Sequence, residues 1–337
     1  MTQGIKALRK IQIGQEVTAG GSTDPASTVW RGMGTLTDNL ETTFPEEDIG
    51  ILGGTTRSYQ AKAGGEIDLE GMATFEQVGY AFIAGIYNST ATTDTGSGYI
   101  YQWSLQTQST DLVATTDLQT LVIEAGDNNE AEIMRYCFVR EINLSGTAGE
   151  AVENTITLEG REIAGGASYT SGVSVPTVET ILVSKAKLYI DATSDTIGST
   201  LVSQTLLGFD LTITTGWQPV FAADGRLDFS FIKRANDEST IDLTFEHNGT
   251  ATAEKAAWRA ETERAIRLKF EGNALSSAGA YTYKTLILDM YGKWESFEAL
   301  SDEDGNDTVT GTFRIAYSPT AAKKFDITLV NELSALP

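Results

Sequence analysis

Few residues in this sequence have the types and spacing that catalysis requires. The single histidine, His247, lies in a Glu-His-Asn-Gly stretch, and no Gly-x-Ser-x-Gly elbow exists for which it would serve as a base. The single cysteine, Cys137, has no second thiol to pair with and stands between two aromatic residues, which is typical of a packed strand. We therefore expect His247 to be a surface turn residue and Cys137 a core residue.

The acidic stretch Asp302–Asp307 is the nearest approach to a metal site. Its oxygens fall at positions 1, 3 and 5, as in a calcium loop, but Asp307 stands where that loop needs glycine and Phe313 where it needs glutamate. Asp, Gly and Asn also favour hairpin turns, which is the simpler interpretation. With no phosphate-binding glycine motif either, the sequence predicts no catalytic, cofactor or metal residues and a protein that is not an enzyme.

The chain is strongly acidic. Asp and Glu number 46 against 24 Lys and Arg, a formal net charge of −22. This balance argues against specific nucleic-acid binding, which needs basic patches, and is compatible with simple solubility. Residues 1–17 lack the apolar run of a secretion signal, and the apolar stretch Tyr80–Tyr87 is too short to cross a bilayer. These features lead us to expect a product of the cytoplasm that does not insert into membranes.

An internal repeat organises the sequence. Lys187–Asp191 followed by Gly198-Ser199-Thr200 resembles Lys10–Gly14 followed by Gly21-Ser22-Thr23, and both similarities have the same spacing of 177 residues. Further matches follow in the same order: Ile67–Leu69 with Ile241–Leu243, Leu121–Glu124 with Leu268–Glu271, and Thr155–Thr157 with Thr308–Thr310. Such ordered similarity indicates a duplicated domain.

The repeat predicts two domains of ordinary size. We place the first at residues 1–166, a small, polar linker at 167–177 and the second domain at 178–337. Residues 88–117 are an insertion of the first copy, in which the alternating Tyr99, Tyr101 and Trp103 predict an added strand.

Within each copy, alternating apolar residues predict mostly antiparallel strands around one helix. The first helix has capping-box spacing at Thr74 and Gln77, and the second has Thr252 as its N-cap. The expected fold is mainly β: two tandem β-sandwich or half-barrel domains, each with one flanking helix. Two long turn-rich segments, Phe44–Gly65 and Pro219–Glu238, are predicted to be extended arms.

These patterns resemble the major tail tube proteins of bacteriophages with long, non-contractile tails, specifically those with a duplicated tube domain. The resemblance covers nearly the whole chain. It is carried by loose patterns of strands and turns: Lys187–Asp191 with Gly198–Thr200, Leu207–Pro219, Ile266–Gly272 and Asp326–Leu333. The insertion at 88–117 departs from a minimal tube domain.

The resemblance implies a structural virion protein, assembled in the host cytoplasm. Three chains would form a pseudo-hexameric ring, and stacked rings would form a hollow tube through which genomic DNA passes during ejection without specific binding. The partners would be other copies, the tape measure, the tail terminator and the tail tip, and the two arms would reach the adjacent ring. Acidic residues should then be enriched on the inner strands, because a weakly repelling wall keeps DNA centred.

Two other classes remain open from the sequence. A surface β-sandwich adhesin would share this composition but would be expected to carry a signal peptide. A carbohydrate-binding module would need exposed aromatic residues, for which Tyr99, Tyr101 and Trp103 are the nearest candidates, although strand packing also explains them.

Overall fold

The computed structural model describes residues 3–21, 23–105 and 118–336, and within them the protein is mainly β, with antiparallel sheets and two α-helices. The first half contains β1 (Lys10–Gln15), β2 (Thr28–Val29), β3 (Thr37–Asp38), β4 (Glu41–Thr43), β5 (Tyr59–Lys62), β6 (Gly65–Met72), α1 (Gly79–Gly85), β7 (Thr92–Thr93), β8 (Tyr99–Leu105), β9 (Leu121–Gly126), β10 (Ala131–Thr147), β11 (Glu153–Gly160) and β12 (Ile163–Ala167). The second half contains β13 (Ala186–Ala192), β14 (Leu201–Val202), β15 (Leu206–Thr214), β16 (Trp217–Val220), β17 (Phe231–Arg234), β18 (Glu238–Glu246), α2 (Gly249–Arg259), β19 (Arg264–Ala274), β20 (Tyr283–Phe297), β21 (Ser301–Glu303), β22 (Asn306–Ile315) and β23 (Phe325–Asn331).

One continuous antiparallel sheet runs through both halves. Its strands lie in the order β3–β6–β11–β10–β15–β18–β22–β20. The two halves meet where β10 pairs with β15, with Glu141 opposite Thr214 and Thr147 opposite Gly208. Strands of both halves therefore share one hydrogen-bonded surface.

The long strands β10 and β20 each belong to two sheet regions. The beginning of β10 pairs with β9 and β12, and its end pairs with β11 and β15. In the same way, the beginning of β20 pairs with β19 and β23, and its end with β22. A bulge follows Val139 in β10 and Trp294 in β20, and a bulge locally bends and twists its strand.

The order of pairings is the same in the two halves. Strands β6, β11 and β10 are neighbours as β18, β22 and β20 are, and β1 lies on β9 as β13 lies on β19. The predicted match of Ile67 with Ile241 agrees with this order. Ile67 lies opposite Leu158, which in turn lies opposite Val139. Ile241 lies opposite Phe313, which lies opposite Trp294 in the same way. We call two residues equivalent when they occupy the same place in this pairing order.

Two of the matches read from the sequence are shifted. Equivalent positions are Ile123 with Ile266 and Ile156 with Gly311, whereas the sequence comparison paired Leu121 with Leu268 and Ile156 with Val309. Both shifts are even in number. Because strand side chains alternate with a period of two, an even shift preserves the inward and outward pattern, and apolar alternation alone cannot detect it.

The two helices begin at other residues than the sequence predicted. The helix α1 starts only at Gly79; Thr74 Oγ1 accepts the amide N–H of Gln77 at 3.2 Å, but the Gln77 side chain donates to the carbonyl of Val29 instead of closing a capping box. The N-cap of α2 is Asn248, not Thr252: its Oδ1 accepts from the amides of Thr250 and Ala251. Asparagine is among the preferred N-cap residues, and it satisfies two otherwise free donors here.

The segment between the halves packs along the first one. The strand β12 extends to Ala167, and residues 168–179 are irregular. The Tyr169 hydroxyl donates to the Lys10 carbonyl at 2.7 Å, and Glu124 accepts from the amide of Thr170. Neither helix of the described ranges is long and apolar enough to span a bilayer.

Candidate assembly surfaces

The residues first considered for chemistry lie apart from one another. His247 is exposed in the turn between β18 and α2, and Cys137 is fully buried in β10, where burial raises the pKa of its thiol well above the ordinary value. Asp304 and Gly305 form the tight turn between β21 and β22. Among the described residues, no group of His, Cys, Asp or Glu is arranged to hold a metal ion.

The aromatic residues of the insertion are core residues. Tyr99–Leu105 forms β8, which pairs with β23 near the end of the chain; the rest of the insertion, residues 106–117, lies outside the described ranges. Trp103 is 0% exposed and Tyr101 is 2% exposed. A stacking platform for sugars needs open aromatic faces, so these two rings are unavailable for that purpose.

One face of the continuous sheet is packed and the other is open. Apolar residues such as Ile142, Leu211 and Ile241 are fully buried on the packed face, which forms the main core. The open face alternates with them and is rich in threonine, including Thr157, Thr212 and Thr240. This alternation is what a sheet with one solvated face requires.

The open face is acidic. Its charged residues include Glu66, Asp68, Glu70, Glu141, Glu153, Glu159, Asp210, Glu238, Asp242, Glu246 and Glu295, against Arg140, Lys293 and Arg314. Asp210 and Asp242 even stand directly opposite each other on neighbouring strands, where like charges are unfavourable. The open face therefore has a net negative charge despite the repulsion between such neighbours.

The first end of the sheet is an open edge formed by Met33–Asn39. Met33 exchanges backbone hydrogen bonds with Glu70 at 2.7 and 2.9 Å, and the Asn39 amide donates to the Gly64 carbonyl, so odd-numbered residues face β6. The backbone groups of the even-numbered residues, such as Leu36 and Asp38, point away from β6. No described strand pairs with that outer side. An unpaired edge is a template for another chain.

The other end of the sheet is also an open edge. The Glu298 amide donates to the Thr310 carbonyl at 2.9 Å, so Glu298 faces β22 and its neighbours Phe297 and Ala299 direct their backbone groups outward. Ala299, Leu300 and Ser301 are exposed, and no described strand pairs with their outer side. The sheet thus finishes in a free edge on both sides.

The two predicted arms are two-stranded hairpins with exposed apolar tips. The first is β4 with β5 and the second is β16 with β17. Ile51 and Leu52 are exposed on the first arm, and Phe221 and Leu227 on the second. The arms also touch: the Ala63 amide donates to the Leu227 carbonyl at 2.9 Å, and Lys62 Nζ lies 4.4 Å from the centre of the Phe221 ring.

The second arm is anchored by an ion-pair cluster. Arg226 donates two hydrogen bonds to Asp228, at 2.7 and 2.8 Å, and these lower the pKa of Asp228. Arg161 lies 4.0 Å from the same carboxylate, donates to the carbonyls of Phe229 and Ser230, and stacks over the Tyr136 ring. Phe229 is fully buried beside Trp217, so the base of the arm is a small core of its own.

We expect Asp228→Asn to loosen this arm at neutral pH. A carboxylate whose pKa is lowered by folding stabilises the folded state above its unfolded pKa, and that contribution is lost as the pH falls through its folded pKa. Because Arg226 is half exposed, the loss should be about 1 kcal/mol, or about fivefold faster hydrogen exchange of the amides of 228–234 at pH 7. The difference from wild type should disappear once the pH has fallen below the folded pKa of Asp228, because the wild-type carboxyl is then uncharged as well.

Asp48→Asn provides the control, because it removes the same charge from the exposed loop of the other arm. Equal exchange in wild type and Asp228→Asn at pH 7 would show that the cluster does not hold the arm.

A groove of about 820 Å³ lies beside the first free edge. Its lining includes Lys6, Arg9, Trp30 and Met33, together with acidic residues of β6 and the β9–β10 turn. The Trp30 side chain is 6% exposed, and its indole N–H finds no acceptor among the described residues. Buried indole N–H groups ordinarily have a hydrogen-bond partner, so the groove contains an unsatisfied donor.

The groove and the pairing of the halves were not predicted from the sequence. The residues of Met33–Asn39 do not alternate between apolar and polar types as a strand would. That this segment forms the edge of the sheet is known only from its pairing with β6. A scan against protein-family models gives no match, and a search of curated proteins finds no similar sequence.

Proposed function

We propose that this chain is a structural subunit that closes into rings and stacks into a hollow tube, as the resemblance to phage tail tube proteins implies. The observation that supports this best is the continuous sheet. Its two halves contribute the same order of strands, and it ends in a free edge on each side. Each half is then one tandem domain, with a boundary near 167–177.

The junction of β10 with β15 provides a pattern for joining copies. At this junction the end of β10 in the first repeat pairs with β15, the third strand of the second repeat. The free end of β20 is equivalent to the end of β10, and Met33–Asn39 is equivalent to Gly208–Thr214. The same pairing between chains would extend the sheet from copy to copy. Unlike ends generate rings when the rotation closes.

Three chains would supply six sets of four strands. Twenty-four strands at ~4.8 Å spacing and ~45° tilt give a backbone diameter of ~50 Å, which leaves room for duplex DNA of ~20 Å after side chains. The open, acidic and threonine-rich face would form the inner wall. A negative wall repels a phosphate backbone uniformly, so DNA passes without sticking.

The exposed arms would make the contacts between stacked rings. Their tips carry apolar residues that a solitary chain leaves in water, among them Ile51, Leu52 and Phe221. The protein would then be a virion component assembled in the host cytoplasm, with the tape measure, tail terminator and tail tip as further partners. The buried Tyr101 and Trp103 disfavour the carbohydrate-binding alternative.

Electron microscopy of the concentrated protein tests the proposal. We expect rings of three chains and regular hollow tubes whose channel is lined by the acidic face. Filaments without a channel, a channel lined mainly by Lys and Arg, or a chain that stays monomeric at every concentration would contradict it.

A further inference from the structure

The junction inside the chain includes more than the pairing of two strands. The turn of residues 147–152, between β10 and β11, rests on the segment that precedes β13. The Val183 amide donates to the Glu150 carbonyl at 3.0 Å, Ala151 bridges with Leu182, and a Cβ at Gly146 would lie 2.5 Å from the Val183 side chain. The turn of one repeat therefore docks on the entry segment of the next.

Both components of this docking recur at the free ends. A 3-10 turn precedes the first strand of each repeat: Lys6–Leu8 before β1 and Val183–Lys185 before β13. Residues 302–307 form the tip of the β21–β22 hairpin and match 147–152 when residues are counted from Trp294 and Val139. The hairpin is paired as far as Glu303 with Asn306, whereas the pairing of β10 with β11 ends at Ser145 with Glu153. Lys6 is thus equivalent to Val183, and Ser301 to Gly146.

The charges at the free ends differ from those inside the chain. The equivalent turn is exposed and acidic, with Asp302, Glu303, Asp304 and Asp307. The entry segment carries the three basic residues Lys6, Arg9 and Lys10, whereas the equivalent segment of the internal junction carries two, Lys185 and Lys187. Arg9 lies near Asp127 and Lys10 packs over Tyr169, but none of the three basic residues forms an ion pair within the described ranges.

We propose that the acidic turn of residues 302–307 of one copy docks in the groove beside Trp30 of the next copy, against Lys6 and Arg9. The inference rests on the proposed function and names the contact that orders the chains. The occupant is a second copy, because the acidic turn and the basic entry segment lie at opposite ends of the same sheet. The acidic residues that line the rest of the groove, such as Glu66, Glu70 and Glu130, would repel this turn, so it docks on the side of Lys6 and Arg9. Docking would cover the exposed Met33 side chain and bring polar groups near the unpaired indole N–H of Trp30.

Charge reversal tests this contact. Lys6→Glu with Arg9→Glu, or Asp302→Lys with Asp304→Lys, should raise the concentration needed for assembly about tenfold or more, because like charges then face each other. All four changes in one chain should restore assembly, since each copy again presents opposite charges. Circular dichroism of each variant checks that the fold is retained.

Cross-linking gives an independent readout. Lys6→Cys with Ser301→Cys should form disulfide-linked rings on oxidation, because the equivalent Val183 and Gly146 are in contact and the native Cys137 is buried. Val183→Cys with Gly146→Cys serves as the internal control and should close a disulfide within one chain.

The outcomes separate this inference from the proposed function. The docking contact would be contradicted, and the proposed function retained, by the following result: both charge-reversal variants assemble as the wild type does, and the Lys6→Cys, Ser301→Cys variant forms tubes without disulfide links between copies. Failure of the wild type to form rings or tubes would overturn both.

Discussion

Asp38→Pro is expected to abolish assembly while leaving the chain folded. Asp38 is exposed, and its backbone groups face away from β6, so proline removes a donor that the isolated chain does not use. In a ring, the same proline would face the incoming strand, where it removes a hydrogen bond and introduces a steric clash. Ala299→Pro should act in the same way from the opposite edge, because Ala299 also directs its backbone outward.

The measurement is the sedimentation of tubes together with thermal unfolding followed by circular dichroism. We expect no tubes from either proline variant at concentrations where the wild type forms them, with an unchanged unfolding midpoint. Asp38→Ala and Ala299→Ser keep the N–H and should assemble normally. If both proline variants assemble as the wild type does, copies do not join through these edges.

Local sequence patterns predicted much of the fold. The alternation of Ile67, Asp68 and Leu69 specifies a strand with one buried and one exposed face, and the structure has both. The duplicated order of elements also followed from the sequence, because each repeat must bury the same faces. Once the strands are known, the residues of the acidic face can also be identified from the sequence, since they alternate with the apolar residues.

The candidate surfaces depended on contacts between distant residues. No local pattern near Thr214 indicates that it pairs with Glu141, and the edge at Met33–Asn39 is defined by what is missing beside it. The start of α2 also involves such a contact. Asn248 precedes Thr252 by one helical turn, and both residue types are competent caps. The Asn248 side chain is also held by a hydrogen bond to Thr205 Oγ1 at 2.8 Å, a contact between distant residues.

Trp103→Ala is expected to be the most damaging single change in stability, at about 3–5 kcal/mol. Trp103 is fully buried, its ring centre lies 5.1 Å from that of Phe82 in α1, and its indole N–H donates to the Tyr87 carbonyl at 3.0 Å. Its strand, β8, also pairs with β23 at the end of the chain. The side chain therefore ties the helix of the first half to the last strand of the second.

Urea unfolding followed by circular dichroism measures this effect, and two variants provide the scale. Trp103→Phe keeps most of the apolar contact and loses one hydrogen bond, so it should cost about 1–2 kcal/mol. Tyr99→Ala removes a half-buried ring from the same strand and should cost less than Trp103→Ala. If Trp103→Ala unfolds at the wild-type urea concentration, β8 does not anchor the two halves.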